Sequence, residues 1–175
     1  MLRPILITTA IIAGAATIAT SGTVERATRI EIDTHIDLPH SAKEVWTVLA
    51  DLDAYPEWNP YHVRAEGDVI PGSKIEVEIR KPNGNQVVLR PKIMEAEPGR
   101  SLVWGGGIKG VFRGVHRFDL ERVSDTCTRL YHTEVFSGLF VSFAELGTIE
   151  EGYADMNAAL AERMRMVSGK SRKAC

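Results

Sequence analysis

The 175-residue chain has little of what usually identifies a protein's chemistry. It carries two cysteines, Cys127 and Cys175, and neither belongs to a CxxC pair. Cys127 falls in a predicted turn and Cys175 is the last residue, so a zinc site and a disulfide both have little support and two free thiols are expected. An excess of one charge is also missing: 21 Lys and Arg against 23 Asp and Glu leave a formal net charge of -2. With the cations spread along the sequence there is no basic stripe to hold a phosphate backbone, and nucleic-acid binding is set aside. The sequence holds no nucleophile elbow, phosphate loop or cluster with metal-ligand spacing, so neither a metal nor a cofactor is expected. Gly105-Gly106-Gly107 followed by Gly110 does not fit a dinucleotide fingerprint and reads as a bend or mobile loop. Internal repeats and low-complexity tracts are absent.

A chain of this length builds one good core and hence one domain. Its start differs from the rest: Arg3 precedes an uncharged run from Pro4 to Gly22, rich in Ile, Ala and Thr. The run is close to the ~20 residues that span a bilayer, and Ala19 and Ser21 form a small-x-small pair that a signal peptidase could use. Residues 1–22 are therefore expected to be a signal peptide or an N-terminal membrane anchor. The positive charge in front places the following domain, residues 23–170, outside the cytoplasm, with 171–175 as a tail.

Periodicity organises that domain. Ile30, Ile32, Ile36 and Leu38 alternate with charged residues, the period-two pattern of a half-buried strand. Ser41 with Glu44 three residues on signals a capped helix through Val45, Trp46 and Leu49, and Tyr55 to Tyr61, with two prolines, reads as a second short helical turn. From Val63 to Phe136, alternating runs separated by Pro82-Asn83-Gly84-Asn85, Pro98-Gly99 and Ser124-Asp125-Thr126 predict about six antiparallel strands. Ile149, Tyr153, Met156, Leu160, Met164 and Val167 then recur at steps of three or four, the apolar stripe of a long helix. Such a stripe needs a partner, and the strands supply it, so the expected architecture is α+β: a curved antiparallel sheet wrapped on the terminal helix, with space between them.

The candidate chemistry lies near that space. His116 sits between Gly114 and Phe118 on the apolar side of its strand, and a buried imidazole needs partners whether its role is structural or ligand-facing. His132 and Glu134 share one side of the last strand, but Tyr131 and Val135 make its other side apolar too, so parity leaves their direction open. If they face inward, His116, His132 and Glu134 are enough for acid-base catalysis. Trp104, Phe112, Phe118 and Met156 are candidate cavity walls, and Trp58 with Asn59 could guard an entrance. Asp51 and Asp53 read as surface charges at a helix end.

Several of these stretches together resemble a known superfamily. Ser41-Ala42-Lys43-Glu44-Val45-Trp46, Tyr55-Pro56-Glu57-Trp58-Asn59-Pro60-Tyr61, Leu102-Val103-Trp104, Gly114-x-His116-x-Phe118 and Glu134-x-Phe136-x-Gly138 resemble the START-like, or SRPBCC, superfamily and its polyketide cyclase/dehydrase and lipid-transport branch. The resemblance runs from about Arg29 to Val167 and implies a helix-grip fold with a deep apolar cavity. It places His116, Glu134, Trp58 and Asn59 at landmark positions. It implies a hydrophobic small-molecule partner, a lipid, isoprenoid or aromatic compound, with a cyclase, dehydratase or isomerase as the alternative.

Overall fold

A computed structural model describes residues 28–169 and 174–175, so the segment 1–22 lies outside the described residues. Among the described residues, no helix is long and apolar enough to cross a membrane. The first alternating run forms β1 (Arg29–Leu38), with its charged residues exposed and Ile30, Ile32, Ile36 and Leu38 turned to the core. Ser41 caps α1 (Ala42–Ala50): its hydroxyl accepts from the Glu44 N–H, and the Glu44 carboxylate accepts from the Ser41 N–H at 2.9 Å. That reciprocal pair satisfies amide donors a helix start would otherwise leave bare. A 3-10 turn, Leu52–Glu57, follows, and Pro56 inside it lacks the N–H needed to prolong an α-helix.

The meander comprises β2 (His62–Glu66), β3 (Glu76–Arg80), β4 (Gln86–Leu89), β5 (Lys92–Glu97), β6 (Ser101–Ile108), β7 (Phe112–Ser124) and β8 (Cys127–Ser137), before α2 (Ile149–Ser168). All pairings are antiparallel, in a five-stranded sheet ordered β1-β8-β7-β6-β5 and a three-stranded sheet ordered β2-β3-β4. The edges are stitched: Ile75 N–H donates to Pro91 O at 3.0 Å and Ile93 N–H to Ser73 O at 2.9 Å, which carries the wall round from β5 towards β3. α2 closes the concave side, with Ile149, Tyr153, Met156, Leu160 and Met164 buried, whereas Val167 is exposed and drops out of the expected stripe. Gly152 is the seat of the Tyr61 ring, since a Cβ there would fall 2.2 Å from Tyr61 Cδ2.

Two expectations change. Gly105, Gly106 and Gly107 are not a bend or mobile loop but part of β6, paired with Val115, Gly114 and Arg113. Glycine leaves no side-chain alternation to read, and here the neighbouring strand supplies the order. The cysteines are not free: Cys127 and Cys175 form a disulfide with their Cα atoms 5.6 Å apart. Local spacing does not reveal a return over 48 residues, which comes about because α2 runs back along the sheet toward the start of β8.

Candidate functional site

Strand register decides what meets α2. One rung across the sheet is Ile32, Glu134, His116, Trp104 and Ile93. Beside it on one side runs Thr34, His132, Phe118 and Leu102, and on the other Ile30, Phe136, Gly114 and Gly106. Inward direction follows from contact: His116 Nδ1 lies 2.9 Å from the Tyr153 hydroxyl on α2, and His132 Nδ1 lies 2.9 Å from Asn157 Oδ1. Both residues of β8 whose direction the sequence left open thus face the helix. Phe118 and Leu102 fill their rung, but the cross-strand pair Gly106 and Gly114 contributes no side chain. Over that pair opens a cavity of about 240 Å³.

Its walls are mostly apolar, from Val77, Ile79, Pro91, Trp104, Phe112 and Phe136, a polar pole is formed by His62, His116, Glu134 and Tyr153, and exposed Arg90, paired with Glu76, stands at the rim. The volume exceeds the roughly 150 Å³ that accommodates benzene and falls short of the roughly 300 Å³ at which drug-sized pockets begin. Gly114 also makes room for the pole, because a Cβ there would stand 2.9 Å from Glu134 Oε1 and 3.2 Å from Phe136 Cε1.

Tyr153 joins the pole together. Its hydroxyl donates to Glu134 Oε2 in a short hydrogen bond, while its oxygen faces His116 Nδ1. One hydroxyl hydrogen serves one acceptor, so with that hydrogen on Glu134 the imidazole proton sits on Nδ1 and Nε2 becomes a bare acceptor. When Glu134 is protonated and donates to Tyr153, the tyrosine turns its hydrogen to Nδ1 and the imidazole proton moves to Nε2. Either way His116 Nε2 is buried with no hydrogen-bond partner among the described residues. Burial pushes the Glu134 carboxyl up to about 7, against the Tyr153 hydrogen bond, which lowers it. Burial also pulls His62 down to about 3, and it holds His116 well below the ordinary imidazole value, helped by His132 and His62. The imidazoles are therefore neutral at pH 7, and Glu134 is the group poised to exchange a proton there. Among the described residues, no group of three or more His, Cys, Asp or Glu side chains is placed to hold a metal ion.

Of the residues singled out from the sequence, Trp104, Phe112, His116 and Glu134 line the cavity, whereas His132, Trp58, Asn59, Phe118 and Met156 do not. His132 is locked in a structural circuit: Asn157 Nδ2 donates to Thr34 Oγ1 at 3.0 Å, and that hydroxyl donates to His132 O at 2.9 Å. The Tyr153 ring stacks on the His132 ring with centroids 3.9 Å apart, so His132 clamps α2 to β1 and β8. Asn59 Oδ1 accepts from the Tyr61 and His62 N–H groups at 3.0 and 2.9 Å, which shapes the turn that delivers His62 to the pole. Trp58 packs edge-on against Tyr55 beside a separate surface depression, and Phe118 and Met156 are core. His62 escaped the sequence reading, Gly106 was read only as part of a bend, and Gly114 only as a landmark beside His116. Tyr153 was visible only as one member of an apolar stripe, and nothing in the local pattern marked its hydroxyl.

The antiparallel wall curled round a C-terminal helix, with a lined hollow between them, defines a START-like helix-grip protein. Residues 29–166 match the family described as polyketide cyclase/dehydrase and lipid transport, and the chain belongs to that family. Among solved structures it resembles a START superfamily protein from Mycobacterium smegmatis, with TM-score 0.61 and 14% identity over 78% of this chain and 98% of that one. It also resembles the Zhui aromatase/cyclase from Streptomyces sp. R1128, with TM-score 0.60 and 14% identity over 79% and 96% of the two chains. A third resemblance is to the di-domain aromatase/cyclase StfQ of the steffimycin pathway, with TM-score 0.61 and 15% identity over 82% of this chain and 53% of that one. At such identities these likenesses speak for the fold. No curated protein matches the chain in sequence. Family membership supports hydrophobic-ligand binding or cyclase activity as the function.

Proposed function

We propose that the protein binds a small, mostly apolar molecule of one or two rings between the sheet and α2, with its oxygen-bearing end against Glu134, Tyr153 and His116. The observation that carries this reading is the cavity of about 240 Å³, apolar over most of its walls and with Glu134, Tyr153 and His116 grouped at one pole. Burial of the rings supplies roughly 25 cal/mol per Å² before association costs, and the pole fixes orientation. A ligand hydroxyl has two acceptors to choose from, the Glu134 carboxylate and the bare His116 nitrogen, whereas with Glu134 protonated and donating to Tyr153 the His116 Nε2–H is the donor open to a ligand carbonyl. The aromatase/cyclase names of two structural neighbours favour ringed ligands. Native mass spectrometry of the chain mixed with 2-naphthol and a panel of one- and two-ring phenols and ketones should show one-to-one adducts. Ligand-free protein across the whole panel, and after exposure to a lipid extract, would overturn the reading.

A second reading is favoured by one observation, the chain of contacts from Glu134 through Tyr153 to His116 at the edge of the cavity. In it the protein is a cyclase, dehydratase or isomerase, and Glu134 exchanges a proton with the bound substrate while the tyrosine and imidazole rearrange their hydrogens to match. His132, turned to Asn157, takes no part. Retained binding with lost turnover in Glu134→Gln would select this reading, and unaltered turnover would remove it.

The domain is read as exported or held at the outer face of a membrane. Arg3 ahead of the apolar run 4–22 supports this, and so does a disulfide, which persists in oxidising compartments. The intact mass of the protein from membrane and soluble fractions tests whether 1–22 is kept.

A further inference from the structure

We propose that the end of the domain carrying the cavity mouth is a docking surface for an anionic lipid bilayer. The inference rests on the anchor alternative for residues 1–22, with 4–22 kept in a membrane, and it deepens the proposed binding function by giving the ligand a route from the lipid phase. Two segments build the surface. The turn between β6 and β7 presents Ile108 and Val111, and the loop after β8 presents Leu139, Phe140 and Phe143, with between 42% and 69% of each side chain's residue surface exposed. Backbone bonds fuse the segments: Leu139 N–H donates to Gly110 O at 3.1 Å and Phe140 N–H to Val111 O at 3.0 Å. Gly138, at φ +124°, permits that approach, because a Cβ there would sit 2.4 Å from Val111 O. The patch is thus a braced platform with five large apolar side chains turned outward, a composition that marks an interaction site.

Charge, chain path and cavity together choose the occupant. Residues 107–113 and 137–144 contain no Asp or Glu, while Lys109 stands exposed at the tip of the turn and Arg113 lies beside it. Apolar side chains with cations among them suit the boundary between acyl chains and anionic headgroups. The chain also enters the domain here, since Gly138 N–H donates to Thr28 O at 2.9 Å. The five residues 23–27 between Thr28 and the apolar run reach at most about 18 Å, so a bilayer holding that run lies close to this end and not the other. Finally, the exposed lining residues of the cavity are Leu89, Arg90, Gly106 and Gly107, and Gly106 and Gly107 run directly into Ile108 along β6, so on that strand the rim of the cavity continues into the patch.

The test is photo-cross-linking of the full chain in vesicles of phosphatidylethanolamine and phosphatidylglycerol that carry a diazirine phospholipid, with the adducts mapped by mass spectrometry. Lipid adducts on peptides holding 108–112 and 139–143 are expected, about tenfold above those on the turns 98–100 and 124–126 at the opposite end. In the variant Leu139→Ser/Phe140→Ser the patch adducts should fall about tenfold while the one-to-one adduct with 2-naphthol persists in detergent solution. Adducts confined to 1–22, adducts equal at both ends, or a patch that cross-links to a second copy of the chain would each overturn the proposal. Patch labelling decides the docking surface whatever the 2-naphthol result, which bears on the cavity reading alone.

Discussion

The two ends of the sheet's inner face are written in one alternating pattern and come out opposite in character. Where β6 and β8 begin, Leu102, Phe118, Leu120 and Leu130 are buried in one cluster with Leu160 of α2. Two residues further along the strands, inward positions fall on His116 and Glu134, then on Gly106 and Gly114, and the packing opens into the cavity. The difference is made by missing side chains, not by an added element. A binding site in this protein is a placed defect in packing, rimmed by polar groups that a complete core could not hold unpaired.

That contrast is testable by damaging the full end, loosening it, discharging the hollow end and filling it. Phe118→Ala removes a ring from the solid end and should cost roughly 3–5 kcal/mol in chemical denaturation, with 2-naphthol uptake retained wherever the variant is folded. Reduction of the Cys127–Cys175 disulfide frees a closure of 48 residues at the same end, and should lower stability by about 2–4 kcal/mol with the cavity unaffected.

At the hollow end, pH replaces volume as the lever. Burial raises Glu134 from its ordinary value of 4.5 to about 7, so its contribution to stability is full below 4.5 and lost as pH rises through 7. Glu134→Gln cannot ionise and should gain on the parent by up to roughly 3 kcal/mol by pH 8, with no such gain at pH 4.5, read from urea melts across that range. His62 and His132, both pulled down to about 3, act in the opposite sense. Their contribution is present above the usual 6.5 and lost as pH falls below it, at roughly 1.4 kcal/mol per pH unit for each. The parent should therefore be most stable near pH 6–7, on the order of where these opposing slopes meet.

The smallest change in stability is expected from filling the hollow. A Cβ at Gly106 would meet only Pro91, at 3.7 Å, so Gly106→Val should shift stability by less than about 1 kcal/mol while weakening 2-naphthol binding at least about tenfold. Unchanged binding in that variant would mean the ligand sits elsewhere.

Much of the frame was legible from residues alone. The alternation of β1, the Ser41 and Glu44 capping box and the 149–164 stripe are local patterns, and each formed the element it signals. His116 was visible as a polar residue on an apolar face. The face of His132 and Glu134 was not, because both sides of β8 are apolar in part and only pairing with β1 and β7 fixes them. Two of the singled-out aromatics, Trp104 and Phe118, sit within one ring contact of each other, yet one lines the cavity and the other is core.

The amino-acid order by itself determined the strand and helix sequence, the need for a sheet to cover α2, and the supply of an inward histidine and several large aromatics. Periodicity carries that information because it depends only on neighbours along the chain. The tertiary structure alone decided that Gly106 lies opposite Gly114, that Tyr153 reaches both Glu134 and His116, and that Cys175 returns to Cys127. Each is a meeting of residues distant in sequence, set by strand register and by where α2 crosses the sheet, and no local pattern encodes it.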